Sequence, residues 1–206
     1  MNSRTLILAS QSPRRRELLE KAGFEFQTLS VKISEILKEN LSLDEALKDL
    51  ARRKASELVG SGRLSEIPDF LILSSDTEVI LDGKVFGKPS SVEENCNMLR
   101  LLSGKTHDVK TALCFWDGPT GRVVTDLCTT RITFESLDDL RINAYVTSKR
   151  PLDKAGGYGL QELPREWIRS IEGPRDNVVG LPVEMVERIL SENGWVVRRG
   201  KSQTGR

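Results

Sequence analysis

One stretch constrains this chain more than any other: Leu6-Ile7-Leu8-Ala9-Ser10-Gln11-Ser12-Pro13-Arg14-Arg15-Arg16-Glu17-Leu18-Leu19. Leu6-Ile7-Leu8 is a short apolar run that reads as a strand. A helix opens a few residues later. Ser12 suits its N-cap, and Pro13 suits the first helical position. Leu18, Leu19 and Ala22 form the apolar side, and Gly23 stops the helix. The charge is unusual. Three arginines crowd the first turn, where the helix macrodipole disfavours cations. A solvated charge cluster is the plain explanation. A polyanion held jointly by backbone N–H groups and guanidinium forks is the functional one.

The rest of the composition narrows the choice. A chain of 206 residues fits one domain, or one domain with two lobes. A chain this long buries about 70% of its unfolded surface on folding. Lys and Arg number 31 against 30 Asp and Glu, so the formal net charge is only +1. That balance lacks the bulk footprint of a nucleic-acid binder, and no aromatic platform lies among the basic residues. Cys96, Cys114 and Cys128 are odd in number and lack C-x-x-C spacing. They argue against a disulfide framework or zinc site and suit a reducing, cytoplasmic compartment. His107 is the single histidine, which excludes multi-histidine metal sites. No apolar run approaches the roughly 20 residues of a membrane span. The acid-free first sixteen residues resemble a transit peptide, but they also begin the fold.

Ser42 and Glu45 form a capping box ahead of a helical stripe, Leu43, Ala46, Leu47, Leu50, Ala51 and Leu58. Lys54 lies on that stripe, so it either snorkels or reaches into a cleft at the edge of the core. Phe70 to Leu73 reads as a buried strand that ends at Ser74-Ser75-Asp76-Thr77. Val79 to Leu81 and Lys84 to Phe86 then form a hairpin around Asp82-Gly83, closed by Gly87-Lys88-Pro89. Ser91 and Glu94 cap a helix with Cys96, Leu99 and Leu102 inside. Val109 to Trp116 and Val123 to Phe134 read as long strands. Ser136 starts a helix with Leu137, Leu140 and Ala144 inward. Lys154 to Gln161 is a glycine-rich, permissive loop. A last helix spans Pro182 to Asn193, and the chain from Arg198 is polar and frayed. The alternation predicts an α/β fold with a mixed sheet.

Four features carry candidate chemistry. They are the arginine-bearing helix start, Asp76 at the end of a buried strand, Lys88 after the hairpin, and the loop Gly156 to Gln161. Each alone has a plain structural explanation: a charge cluster, a turn aspartate, a surface lysine, a flexible connection. Together they make several cations opposite one carboxylate. Arg14, Arg15, Lys54 and Lys88 can hold a polyphosphate. Asp76 can bind a divalent cation or deprotonate water, since Mg²⁺ often uses one or two carboxylates plus substrate oxygens. The matching reaction is phosphoanhydride hydrolysis by charge stabilisation and water positioning. Gly104-Lys105-Thr106 and Gly200-Lys201-Ser202 mimic the end of a Walker A loop. The required first glycines are Leu99 and Trp195, so the chain is not a P-loop NTPase.

Taken in order, these residues resemble the Maf family of nucleoside triphosphate pyrophosphatases. The match runs through Ser10-Gln11-Ser12-Pro13-Arg14-Arg15, Lys54-Ala55, Ser75-Asp76-Thr77, Gly87-Lys88-Pro89 and Leu102-Ser103-Gly104 with His107-Asp108-Val109. It continues through Asp153-Lys154-Ala155-Gly156, Tyr158-Gly159, Gln161 and Val179-Gly180-Leu181-Pro182. The resemblance implies an elongated mixed sheet with flanking helices and two lobes around a cleft, an ITPase-like fold. Residues 1–197 would be one catalytic domain and 198–206 a polar tail. The implied activity is cleavage between the α and β phosphates of a nucleoside triphosphate, with a divalent cation (Mg²⁺, Mn²⁺ or Co²⁺). Ser10, Arg14 and Arg15 match the phosphate-binding loop, Lys54 and Lys88 the cleft lysines, and Asp76 the proton acceptor. Glu35 matches an acidic position of the metal site, shared with Asp76. Arg14, Thr77 and Gln161 match the branch that takes dTTP and UTP. A homodimer is also implied.

Three positions depart from the family pattern. Ser34-Glu35 stands where two acids are usual, Arg53 replaces an acid before the lysine, and Glu162 follows Gln161 where glycine is usual. The leading expectation is a pyrimidine nucleotide pyrophosphatase that cleans the nucleotide pool. The alternatives are a 7-methyl-GTP or other modified-nucleotide pyrophosphatase, and a nucleotide-sensing regulator of cell division without turnover.

Overall fold

The computed structural model describes residues 3–149 and 151–200. Its frame is a mixed sheet in the order β2-β1-β3-β5-β6-β7, with β4 paired to β3. The strands are β1 (Thr5–Leu8), β2 (Phe26–Thr28), β3 (Phe70–Leu81), β4 (Lys84–Phe86), β5 (Thr106–Asp117), β6 (Val123–Phe134) and β7 (Ile168–Glu172). The helices are α1 (Pro13–Lys21), α2 (Leu43–Gly60), α3 (Val92–Leu102), α4 (Asp139–Lys149), α5 (Arg175–Val179) and α6 (Val183–Glu192). β1 runs parallel to both β2 and β3, while β3–β4 and β6–β7 are antiparallel. Among the described residues, no helix is long and apolar enough to cross a membrane. The chain divides into two compact units. One comprises the chain up to Asp76, Thr111–Cys128 and the chain from Gly180; the other comprises Thr77–Lys110 and Thr129–Val179.

In the first unit the strand period of two builds two cores. Leu6 and Leu8 of β1, with Leu71 and Leu73 of β3, pack with Leu19 of α1 and Val186, Ile189 and Leu190 of α6. Ile7, Ala9 and Ile72 face the other way, onto Leu47, Ala51, Ala55 and Leu58 of α2. Both faces of these strands are covered, which is why they read as unbroken apolar runs. The α2 stripe falls as its periodicity predicts, and Ser42 and Glu45 form both hydrogen bonds of the capping box.

β3 does not end at Ser74. It continues for 12 residues to Leu81, so Asp76 lies in mid-strand. Two polar groups of this stretch are satisfied from the flanking helices. Ser74 Oγ donates to the Ala51 carbonyl of α2 at 2.7 Å. On the other face, Arg15 Nη1 donates to the Ser75 carbonyl at 2.9 Å. Buried polar groups persist in a strand when such partners exist.

The second unit has its own core, drawn from Val79, Leu99, Val109, Phe134, Val146, Tyr158 and Trp167 among others. Asp82 and Gly83 both take positive φ, at 50° and 77°, as the tight hairpin requires. α4 starts later than expected, because Asp138 rather than Ser136 caps it: Asp138 Oδ1 accepts from the Arg141 N–H at 2.8 Å. Its inner face is Ile142, Tyr145 and Val146, whereas Leu140 is 84% exposed and Ala144 is exposed as well. The Gly156 loop is packed rather than flexible. Asn95 Nδ2 donates to the Gly157 carbonyl at 2.8 Å, and a Cβ at Gly157 would run into that amide.

The chain from Arg198 is also better held than its polarity suggests. Arg199 Nη1 donates to the Ala22 carbonyl at 2.9 Å, and its guanidinium covers the Phe24 ring at 3.6 Å. Gly200 N–H bonds the Gly23 carbonyl. Residues 201–206 of the expected tail, with Lys201-Ser202 of the rejected Walker motif, lie outside the described residues.

His107 is 2% exposed. Its Nε2 lies 2.7 Å from the Tyr158 hydroxyl, and its ring meets Phe134 edge-on. Burial pushes the imidazole pKa down to about 4, and the Tyr158 hydroxyl pKa up. Between the unfolded value near 6.5 and about 4, the unfolded chain binds the extra proton. Stability is therefore present above pH ~6.5 and declines as pH falls to about 4, by about 3 kcal/mol at full shift. Urea denaturation across that range will show the decline, and His107→Gln will flatten it. An unchanged slope in the variant assigns the pH dependence to other groups.

Candidate active site

Six of the residues singled out in the sequence fall in the first unit: Ser10, Arg14, Arg15, Glu35, Lys54 and Asp76. The closest grouping centres on Lys54. The apolar stripe of α2 turns this lysine inward, and its side chain is 13% exposed. Lys54 Nζ donates to Asp76 Oδ1 at 2.6 Å and to Glu35 Oε1 at 2.7 Å. Both are short, charge-assisted hydrogen bonds. Asp76 is 5% exposed, and among the described residues no group bonds its buried Oδ2. Glu35 is half exposed, so it forms the solvent side of the trio.

The start of α1 is a built structure rather than a loose charge cluster. Ser12 occupies the N-cap position, but its side chain makes no capping hydrogen bond among the described residues. Ser10 provides the local bond instead. Its Oγ accepts from the Ser12 N–H at 3.1 Å and from Arg15 Nη1 at 3.4 Å. Arg15 also donates through Nε to the Gly180 carbonyl at 2.9 Å. One guanidinium therefore ties α1 to the strand at Ser75, one residue from Asp76, and to the turn before α6. Arg14 is half-buried and Arg16 is exposed.

Thr77, Lys88 and Gln161 belong to the second unit. Lys88 and Gln161 are exposed, and Thr77 is half-buried. The turn of Lys88 and the loop of Gln161 are joined through the backbone: the Gly156 N–H donates to the Gly87 carbonyl at 3.1 Å. Tyr145 Oη accepts from the Gly159 N–H at 3.1 Å. Burial pushes the Tyr145 hydroxyl pKa up to about 12, so it stays protonated at neutral pH. Glu162, a departure from the family pattern, pairs with buried Lys154 at 3.2 Å.

Sequence reasoning missed Asp49. This carboxylate is buried on α2 and accepts hydrogen bonds from Lys38, Arg52 and Arg53. The Asp49–Arg53 spacing of four was the signal available.

Two carboxylates meet at one ammonium, and the buried Oδ2 of Asp76 lacks a donor among the described residues. That donor set fits a hard divalent cation. Among the described residues, no three or more His, Cys, Asp or Glu gather as a metal cluster. Such a cation would therefore complete its shell with water and substrate oxygens, as Mg²⁺ commonly does.

The fold and this grouping define a class: an α/β protein in which cations and carboxylates gather, a set that suits phosphate chains. The chain belongs to the Maf-like protein family, whose model matches residues 5–193. A dTTP/UTP pyrophosphatase of Bdellovibrio bacteriovorus is 44% identical over 187 residues, covering 91% of this chain and 97% of the relative. The dTTP/UTP pyrophosphatase of Thermotoga maritima is 42% identical over 190 residues, covering 92% and 90%. That of Caldicellulosiruptor bescii is 38% identical over 196 residues, covering 95% and 98%. A HAM1 protein from Coxiella burnetii, of known structure, overlaps 92% of this chain and 99% of its own at a TM-score of 0.48 and 15% identity.

Proposed function

We propose that this chain is a nucleoside triphosphate pyrophosphatase that hydrolyses dTTP and UTP to the monophosphate and pyrophosphate. The observation that carries the reading is Lys54 Nζ bridging Asp76 and Glu35 while Asp76 Oδ2 stays buried and without a donor among the described residues. The names of the relatives support the substrate class.

In this reading Asp76 Oδ2 accepts a proton from the attacking water. The water oxygen forms a bond to phosphorus as the bridging oxygen of the α–β linkage leaves. Lys54 fixes the orientation of Asp76 through Oδ1. Ser10, Arg14 and Arg15 form the phosphate-binding start of α1, and the family resemblance assigns Lys88 of the second unit to the same task. Arg15 also sets the geometry there, since its Nε and Nη1 are committed to the Gly180 and Ser75 carbonyls. Glu35 and Asp76 would hold a divalent cation, Mg²⁺, Mn²⁺ or Co²⁺. When bound, the cation supplies charge neutralisation on the phosphate chain. Arg14, Thr77 and Gln161 set the base preference. The reading includes one catalytic domain over residues 1–197 and a homodimeric state, both carried by the family resemblance, and a cytoplasmic setting, carried by the cysteine usage.

A panel of dTTP, UTP, CTP, GTP and 7-methyl-GTP, scored for pyrophosphate release, tests the substrate assignment. dTTP and UTP are expected to lead. Preference for 7-methyl-GTP would move the chain to the alternative base class. Tight nucleotide binding with no pyrophosphate released by any member would favour the regulator.

A further inference from the structure

Glu35 lies in residues 29–42, which form neither helix nor strand. Val31 and Leu37 pack against the core at either side of it. Between them, Ile36 is 78% exposed, so apolar packing does not hold the backbone beside Glu35. Arg53 holds it through two carbonyls. Its Nη1 donates to the Ser34 carbonyl and its Nη2 to the Ile36 carbonyl, each at 2.8 Å. These carbonyls belong to the residues immediately before and after Glu35. A planar guanidinium that grips both restricts the peptide rotations that would swing the Glu35 side chain.

The guanidinium is itself held. Its Nε donates to Asp49 Oδ2 at 3.0 Å. Asp49 also accepts from Arg52 at 2.7 Å and from Lys38, out of the same irregular stretch, at 3.3 Å. Burial opposes charge on Asp49, but hydrogen bonds from Arg52, Lys38 and Arg53 outweigh it and hold its carboxyl below the usual range. Arg53 precedes Lys54 on α2, so neighbouring residues of one helix fix the Glu35 backbone and bind its carboxylate.

We propose that Arg53 is the positioning residue for Glu35, gripping the Ser34 and Ile36 carbonyls that bracket it, with Asp49 fixing the guanidinium. The proposal rests on the reading of Glu35 as a cation ligand. The test uses full-length protein with α,β-imido-dTTP and titrates Mn²⁺ by electron paramagnetic resonance. Arg53→Met keeps an apolar stem and removes the fork. It is expected to weaken Mn²⁺ binding about tenfold or more, the usual cost of losing a group that orients a ligand. Glu35→Gln should weaken binding in the same way, and the double variant should be no weaker than Glu35→Gln. Arg53→Lys should recover part of the affinity, since one ammonium does not reproduce the fork. Melting temperatures near wild type separate positioning from unfolding.

Wild-type Mn²⁺ affinity in Arg53→Met, with Glu35→Gln impaired, would overturn the role of Arg53 alone. So would full additivity in the double variant, because Arg53 would then act elsewhere. Wild-type affinity in Glu35→Gln would remove Glu35 as a ligand, and the proposal with it.

Discussion

Asp76→Asn is expected to lower dTTP turnover by about 10²- to 10⁴-fold, the usual contribution of a positioned general base, while nucleotide binding persists. The amide nearly matches the carboxylate in size, so the fold is retained. It can still accept the Lys54 hydrogen bond at one atom, but it cannot take a proton from water. The substitution therefore separates chemistry from structure. Steady-state kinetics gives kcat, and equilibrium titration with a non-hydrolysable analogue gives binding. Turnover near wild type would remove Asp76 as the base.

Lys54→Met is expected to lower kcat by about 10²- to 10³-fold, the scale reported for removing one preorganised electrostatic contact. Methionine keeps the apolar stem that α2 turns toward the core, so the helix should pack as before. What disappears is the ammonium 2.6 Å from Asp76 and 2.7 Å from Glu35. Without it, the two carboxylates lose the ammonium they share, and Asp76 loses the bond that orients it. Lys54→Arg keeps the charge but replaces a point donor with a planar fork. It should remain well below wild type in kcat, with melting temperature preserved. Full activity in either variant would make Lys54 a structural ion pair only.

The parts of the fold legible in the sequence are those where pattern and capping agree. The strand–helix start, the α2 stripe with its capping box, β6 and α6 all follow from local rules. β3 was read short because Ser74-Ser75-Asp76 resembles a strand end. Its continuation depends on partners from α2 and α1 that are distant in sequence. β2 has only three residues, and β7 alternates weakly as Ile-Arg-Ser-Ile-Glu, so neither gives a usable period. The face of α4 departs from its leucine pattern because Leu140 sits at the exposed first turn, while Tyr145 completes the buried face.

The candidate site is legible in its residues but not in its geometry. Lys54 on an apolar stripe and a polar break at Asp76 both stand out in the sequence. Their contact bridges 22 residues of sequence that no local rule spans. Glu35 is marked by family resemblance alone, since no apolar period or motif in its own stretch singles it out. Arg53 looked like a departure from pattern, and its use is visible only once the Ser34 and Ile36 carbonyls are placed. Arg15 read as a phosphate clamp, while its Nε and Nη1 also serve as a brace between α1, β3 and the turn at Gly180.

The central claim is hydrolysis of the α–β phosphoanhydride of a pyrimidine nucleoside triphosphate. Phosphorus-31 NMR of dTTP incubated with the purified chain and Mg²⁺ reads the cleaved bond directly. The expected result is dTMP and pyrophosphate in equal amounts, with no dTDP. Accumulation of dTDP and inorganic phosphate, or intact dTTP alongside demonstrated binding, would contradict it.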